Sequence, residues 1–145
     1  MPSCTRRFVI DAGHRVLGHQ GKCRHLHGHR YEIEVTVSSR GLDALGMVVD
    51  FSVIKDKVGK WLDDNLDHNL ILHPDDPLLQ DPGNAEVFAG RSPFVMPHGK
   101  NPTAENLAFL VYKQAGELLR PDGLWIDHVR VYETENCWAD FSPKR

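Results

Sequence analysis

Two segments of the chain alternate apolar and polar residues with period two, the mark of a strand buried on one face. In the first, Phe8, Ile10, Ala12 and His14 share a side. In the second, His27, His29, Tyr31, Ile33, Val35 and Val37 share one, with Gly28, Arg30, Glu32, Glu34 and Thr36 opposite. A turn from Gly41 to Gly46 and a short extended MVVDF lead into a predicted helix, with Asp50 or Ser52 as cap and Ile54, Val58, Trp61, Leu62 and Leu66 forming one apolar stripe. PTAENLAFLVYKQAGELL predicts a second helix, capped by Thr103, with Glu105 in its first turn and Leu107, Leu110, Val111 and Leu118 on one face. WIDHVRVYE and NCWADF predict two closing strands around a turn at Thr134 to Asn136. The order strand, strand, helix, helix, strand, strand predicts an α+β fold: a four-stranded antiparallel sheet with two helices on one face. Such a sheet has edges that must be hidden or paired, so self-association is expected.

Between the helices, residues 74–102 hold six of the nine prolines. That predicts a long proline-rich loop over about 72–102, a length that in a compact domain points to function or mobility. No internal repeat or low-complexity segment interrupts the chain, and 145 residues suit one domain over 1–145.

The alternation also places chemistry. His14 ends one apolar face, and His27 and His29 begin another, so two strands deliver imidazoles toward the interior. Side chains two apart on a strand sit roughly 6 to 7 Å from each other, close enough for two rings to converge on one ion, and Gly28 leaves the opposite face uncrowded. Three neutral imidazoles with an open position form a catalytic zinc arrangement. A lone histidine is more often structural. His25 shares the parity of His27 but precedes the strand, where alternation gives no orientation.

Cys23 reads first as an idle or buried thiol. Against that, Lys22, Arg24 and a nearby dication would favour a thiolate, making it a base beside the metal or a fourth ligand that closes the site. Asp67 and His68, adjacent in LDHNLIL, read equally as a surface pair or helix-end cap. Glu133 shares parity with Val129 and Val131, so it projects to their apolar side, where a carboxylate needs donors. A ligand with several N–H groups would supply them, and so would Arg130 or Arg6.

Composition narrows the rest. The net charge of −3 and a pI near 6.3 give no reason to expect nucleic acid or an anionic membrane as partner. No apolar run approaches a membrane span, and MPSCTRRFVIDAGH lacks a signal-peptide core, so a cytoplasmic protein is expected. The three cysteines, Cys4, Cys23 and Cys137, then imply no disulfide framework.

Taken together, IDAGHRV, CRHLHGHRYEIEV, VVDF, LDHNLIL, NPTAENLA and VYETENC, in this order and over most of the chain, resemble the family of 6-pyruvoyltetrahydropterin and 6-carboxytetrahydropterin synthases. The resemblance implies the tunnelling fold, in which sheets from several subunits join into a barrel, a homohexamer of two trimers, and sites where subunits meet. It implies zinc on His14, His27 and His29, Cys23 as catalytic thiol, Asp67 and His68 as a pair assisting proton transfer, and Thr103, Glu105 and Glu133 holding the pterin ring. The implied substrate is 7,8-dihydroneopterin triphosphate. Ala12-Gly13 stands where the family usually has two alanines, and the stretch from Leu72 to Lys100 is longer than in compact members.

The short interval from Cys23 to His27 resembles the 6-carboxytetrahydropterin synthases of the queuosine pathway, lyases that release acetaldehyde and triphosphate. The eukaryotic pyruvoyl synthases, with a longer interval, are the alternative within the family. Outside it stand a non-catalytic zinc-binding module closed by Cys23, and a three-histidine zinc hydrolase.

Overall fold

The computed structural model describes residues 1–144. Both long alternating segments are strands, β1 over Ser3–His14 and β2 over His27–Ser38, and they pair antiparallel along their whole length, from Ser3 opposite Ser38 to His14 opposite His27. Four further strands follow: β3 over Asn69–Leu72, β4 over Phe94–Val95, β5 over Trp125–Thr134 and β6 over Cys137–Phe141. The sheet therefore has six strands rather than the expected four, in the order β4-β3-β1-β2-β5-β6. The expected antiparallel array is β1, β2, β5 and β6; β3 joins β1 in parallel and β4 joins β3 in parallel. Pattern reading missed the two additions because a two-residue strand has no period and a four-residue apolar run is ambiguous.

The first helix starts where expected: the Asp50 carboxylate accepts from the Ser52 N–H at 2.8 Å. It runs as α1 over Phe51–Ile54, a π turn over Lys55–Gly59 and α2 over Lys60–Asn65. The π turn has a reason in the sequence. Ile54, Val58, Leu62 and Leu66 are all buried and fall four apart, a spacing that in a pure α-helix rotates about 40° per step. A wider π turn in the middle brings them back onto one face. Trp61 lies at the stripe's side against the Phe94 ring.

α3 spans Ala104–Leu119, with Thr103 Oγ1 accepting from the Asn106 N–H at 3.2 Å. Its buried residues are Ala104, Leu107, Ala108, Leu110, Val111, Ala115 and Leu119, so Leu119 rather than Leu118 ends the face; small alanines carry part of it. The helix lies on β5 and β6 and against the first helix. Beneath the helices, Ile10, Ala12, Tyr31, Ile33, Val35, Val129 and Val131 form the sheet's side of the core, to which the buried His14 belongs. The other face is polar and crossed by exposed pairs such as Arg7–Glu34 and Arg130–Asp140.

The proline-rich stretch is not a plain loop. It contains 3-10 turns over Pro77–Leu79, Pro82–Ala85 and Pro97–Gly99 as well as β4. It is anchored by Asp76, which is fully buried, accepts from Arg15 and caps its own turn through the Leu78 N–H. Among the described residues, no helix is long and apolar enough to cross a membrane.

Candidate metal centre

Because β1 ends at His14 exactly where β2 begins at His27, the antiparallel register sets those two residues opposite each other, and His29 follows on the same face. Their rings meet edge to face, with centroids 4.6 Å apart for His14 and His27, 5.1 Å for His14 and His29, and 4.8 Å for His27 and His29. The strand-face argument thus brings all three together. β5 adds the Glu133 carboxylate, whose Oε1 is 3.1 Å from His14 Nε2 and 3.3 Å from His29 Nε2. Donor atoms of these four residues lie within 4.8 Å of one another, a set that could hold a metal ion.

The backbone prepares these rings. His14 Nδ1 lies 2.7 Å from the Pro102 carbonyl oxygen, and His27 Nδ1 lies 2.6 Å from the His25 carbonyl oxygen. A carbonyl only accepts, so both Nδ1 atoms carry hydrogen and both Nε2 atoms present lone pairs. Those Nε2 atoms face each other at 3.1 Å, an unfavourable pairing unless a cation stands between them. His29 Nε2 is buried and has no hydrogen-bond partner. Burial pushes His14 and His29 below the ordinary histidine range, against the pull of the Pro102 carbonyl and of Glu133 on His14 and of Glu133 on His29. Neutral imidazoles with converging, unmet lone pairs are what a transition-metal site requires.

The Pro102 carbonyl is held from two sides. The Asn101 side chain accepts from the Leu17 N–H at 2.8 Å and donates to the Leu17 carbonyl at 3.0 Å, while Asn106 donates to the Asn101 carbonyl at 2.9 Å. The approach to α3 is thereby tied to the chain leaving β1. Sequence reasoning missed these outer partners. Backbone carbonyls leave no residue-type signal, and NPT reads only as a helix start.

The remaining predicted residues are dispersed around this cluster. Cys23 lies half-buried on a 3-10 turn over Lys22–Arg24, and its carbonyl accepts from the Val16 N–H at 2.8 Å. It is absent from the group of donor atoms that converge. Neither arginine considered for Glu133 meets it: Arg130 binds Asp140, and Arg6 lies over the Phe8 ring. Thr103 caps α3, and Glu105 is exposed on its first turn. His25 contributes its carbonyl, not its ring.

Asp67 and His68 form a pair, with His68 Nδ1 2.9 Å from Asp67 Oδ2. They hang from β1: Asp67 Oδ1 accepts from the Asp11 N–H at 2.9 Å, and the His68 N–H donates to the Asp11 carbonyl at 2.6 Å. Burial tends to raise the Asp67 carboxyl, but the Asp11 N–H and the His68 ring together hold it below the usual carboxylate range. Among the described residues no hydrogen bond or ion pair joins this pair to the histidine cluster. A cleft of about 670 Å³ beside the pair is lined by Asp11, Gly13, Gly28, Arg30 and His68 and takes in His29 alone of the cluster. Gly13 and Gly28 face each other across the register, and a Cβ on Gly13 would come within 2.8 Å of the Leu70 side chain.

A family model described as 6-pyruvoyl tetrahydropterin synthase matches residues 3–144. A 6-carboxy-5,6,7,8-tetrahydropterin synthase from Rickettsia felis is 43% identical over 141 residues, covering 97% of this chain and 99% of the relative. Another of that name from Aquifex aeolicus is 35% identical, covering 94% and 95%. Among solved structures, an uncharacterised protein from Wolinella succinogenes superposes with a TM-score of 0.81 at 26% identity, covering 99% of this chain and 98% of that one. The 6-pyruvoyl tetrahydropterin synthase of Caenorhabditis elegans does so with a TM-score of 0.67 at 23% identity over the same shares, a likeness of fold.

Proposed function

The chain belongs to the 6-pyruvoyl tetrahydropterin synthase family, and from that premise we propose that it is a cytoplasmic, zinc-dependent 6-carboxy-5,6,7,8-tetrahydropterin synthase. It is a lyase that converts 7,8-dihydroneopterin triphosphate and one water into 6-carboxytetrahydropterin, acetaldehyde and triphosphate, a step toward queuosine. The observation that carries the reading is the set of Nε2 lone pairs of His14, His27 and His29, aimed at one point by backbone carbonyls behind two of the rings. Imidazole donors suit zinc, and the relatives that align end to end share the carboxy-synthase name. The short Cys23 to His27 interval favours the same product over the pyruvoyl one.

His14, His27 and His29 would hold the zinc, which when bound polarises a side-chain hydroxyl of the substrate. Cys23, tied by its carbonyl to the chain just beyond His14, takes a proton from the polarised side chain so that triphosphate can leave. Asp67 keeps its charge and orients the His68 ring, which returns or relays a proton. Glu133 accepts paired, charge-assisted hydrogen bonds from the pterin amino group and ring N–H, with Thr103 and Glu105 on the same ring. The pair and the cluster make no direct contact within one chain, which supports a site completed between subunits of a hexamer built from two trimers. The edges open to such pairing are β4 and β6.

A second reading rests on the 3.1 and 3.3 Å approaches of Glu133 to the histidines: the carboxylate as fourth ligand would make a closed, non-catalytic zinc module. Incubation with 7,8-dihydroneopterin triphosphate and identification of the products tests the proposal. Acetaldehyde and 6-carboxytetrahydropterin are expected; a pyruvoyl product or none rejects it. Glu133→Gln separates the readings. A pterin-binding role weakens a pterin analogue roughly ten- to a hundred-fold, since a bond to a charged group is worth about 1.5 to 3 kcal/mol, and leaves zinc in place. A ligand role loses zinc.

A further inference from the structure

Arg91 sits in the long stretch between the helices, outside every motif that carries the chemistry, yet its half-buried guanidinium is spent on backbone carbonyls. Nη1 donates to the Asp67 carbonyl at 2.7 Å and reaches the His68 carbonyl at 3.5 Å. Nη2 lies 3.2 Å from the carbonyls of both Asp63 and Asp64. Those last two belong to the final turn of α2, where carbonyls lack helical partners and carry the negative end of the helix dipole. The neighbouring open carbonyls are met locally: Asn65 by the Asn69 side chain and Leu66 by the Asn69 N–H. Arg91 completes the turn.

The turn needs it because His68 has φ 54°, a left-handed conformation that a residue with a Cβ rarely adopts. From one side His68 is held by the Asp11 carbonyl, and from the other Arg91 grips the carbonyls on either side of its Cα. The adjacent Ser92 carbonyl accepts from Asn69 at 3.3 Å, and β4 then pairs with β3, so the stretch is fastened where it reaches the turn.

We propose that Arg91 is the positioning residue of the Asp67–His68 pair, its planar fork spanning the end of α2 and the strained turn so that the ring keeps one orientation. Resting on the function proposed above, this assigns the segment a part in the reaction. A planar fork is required because the carbonyls lie to both sides of one group, which a lysine ammonium cannot span.

The test compares Arg91→Ala, Arg91→Lys and Glu86→Ala, an exposed control on the same stretch, in the zinc-loaded full chain. Arg91→Ala should lower kcat at least ten-fold with KM and zinc content retained, and the His68 amide should exchange with solvent at least ten-fold faster. Millimolar guanidinium should restore part of kcat, Arg91→Lys should fall between, and Glu86→Ala should match wild type. Should Arg91→Ala not fold, Arg91→Lys carries the same comparison of kcat and exchange. A folded variant with wild-type kcat and unchanged His68 exchange overturns the proposal, as does a rise in KM with kcat intact. If the wild type itself fails to turn over the substrate, the functional reading falls, while the exchange rates still decide whether Arg91 holds the turn.

Discussion

His14 and Asp11 stand three residues apart on β1, and each anchors a grouping of imidazole and carboxylate: His14 with His27, His29 and Glu133, Asp11 with Asp67 and His68. The first is delivered by ends of long strands, lies partly in the core and has two imidazoles, His14 and His29, that burial holds toward the neutral form. The second hangs in a turn of positive φ, exposes its imidazole and keeps its carboxylate ionised by hydrogen bonds. Neutral rings with free lone pairs suit a cation, while a charged carboxylate behind a ring suits a proton in transit. The same two residue types are thus set to different tasks by where the backbone puts them.

The largest effect expected from breaking this contrast is at His14. His14→Ala removes a fully buried ring that touches His27, His29 and Glu133, and zinc affinity should fall by more than the roughly 100-fold upper end seen for outer-shell losses. Metal analysis after dialysis reads this directly, and stoichiometric zinc in the variant would show that the cluster is not the metal centre.

Next comes Asp67→Asn, which keeps an acceptor for the Asp11 N–H while discharging the pair. Zinc content should not change, but kcat should drop on the order of 100-fold, the low end for general acid–base catalysis. The folded pKa of Asp67 is depressed. Its contribution to stability is therefore complete above the unfolded value of about 3.9 and is lost as pH falls through the folded one. Wild type and variant should differ least in the most acidic melts. Equal kcat, or a gap that widens toward acid, would contradict the role assigned to the charge.

The same contrast explains what the sequence disclosed. Period-two alternation is long in β1 and β2, so the faces of His14, His27 and His29 could be read from the residues alone. The Asp67–His68 pair follows a helix in a turn, where no periodicity orients a side chain, and only the family motif pointed to it. Arg91 had no motif at all, because it acts on carbonyls that every residue owns. β3 and β4 were hidden by their shortness, and the π turn by a four-residue spacing that resembles an ordinary helical stripe.

The smallest effect, and the one that most sharpens the comparison, is expected at Asn101. Its side chain makes two neutral hydrogen bonds to Leu17, each worth about 1 kcal/mol, and touches no histidine. Removing them in Asn101→Ala frees the segment whose next carbonyl, that of Pro102, fixes the His14 ring. Capping by Thr103 and the bond from Asn106 to the Asn101 carbonyl remain, so the ring should loosen rather than turn away. Zinc affinity measured by chelator competition should then fall about ten-fold, the low end for outer-shell partners, with kcat at saturating zinc near wild type. Asp67→Asn, measured alongside, should leave zinc affinity untouched. If Asn101→Ala binds zinc as tightly as wild type, the helix cap alone places the Pro102 carbonyl, and the tie to Leu17 serves only the loop.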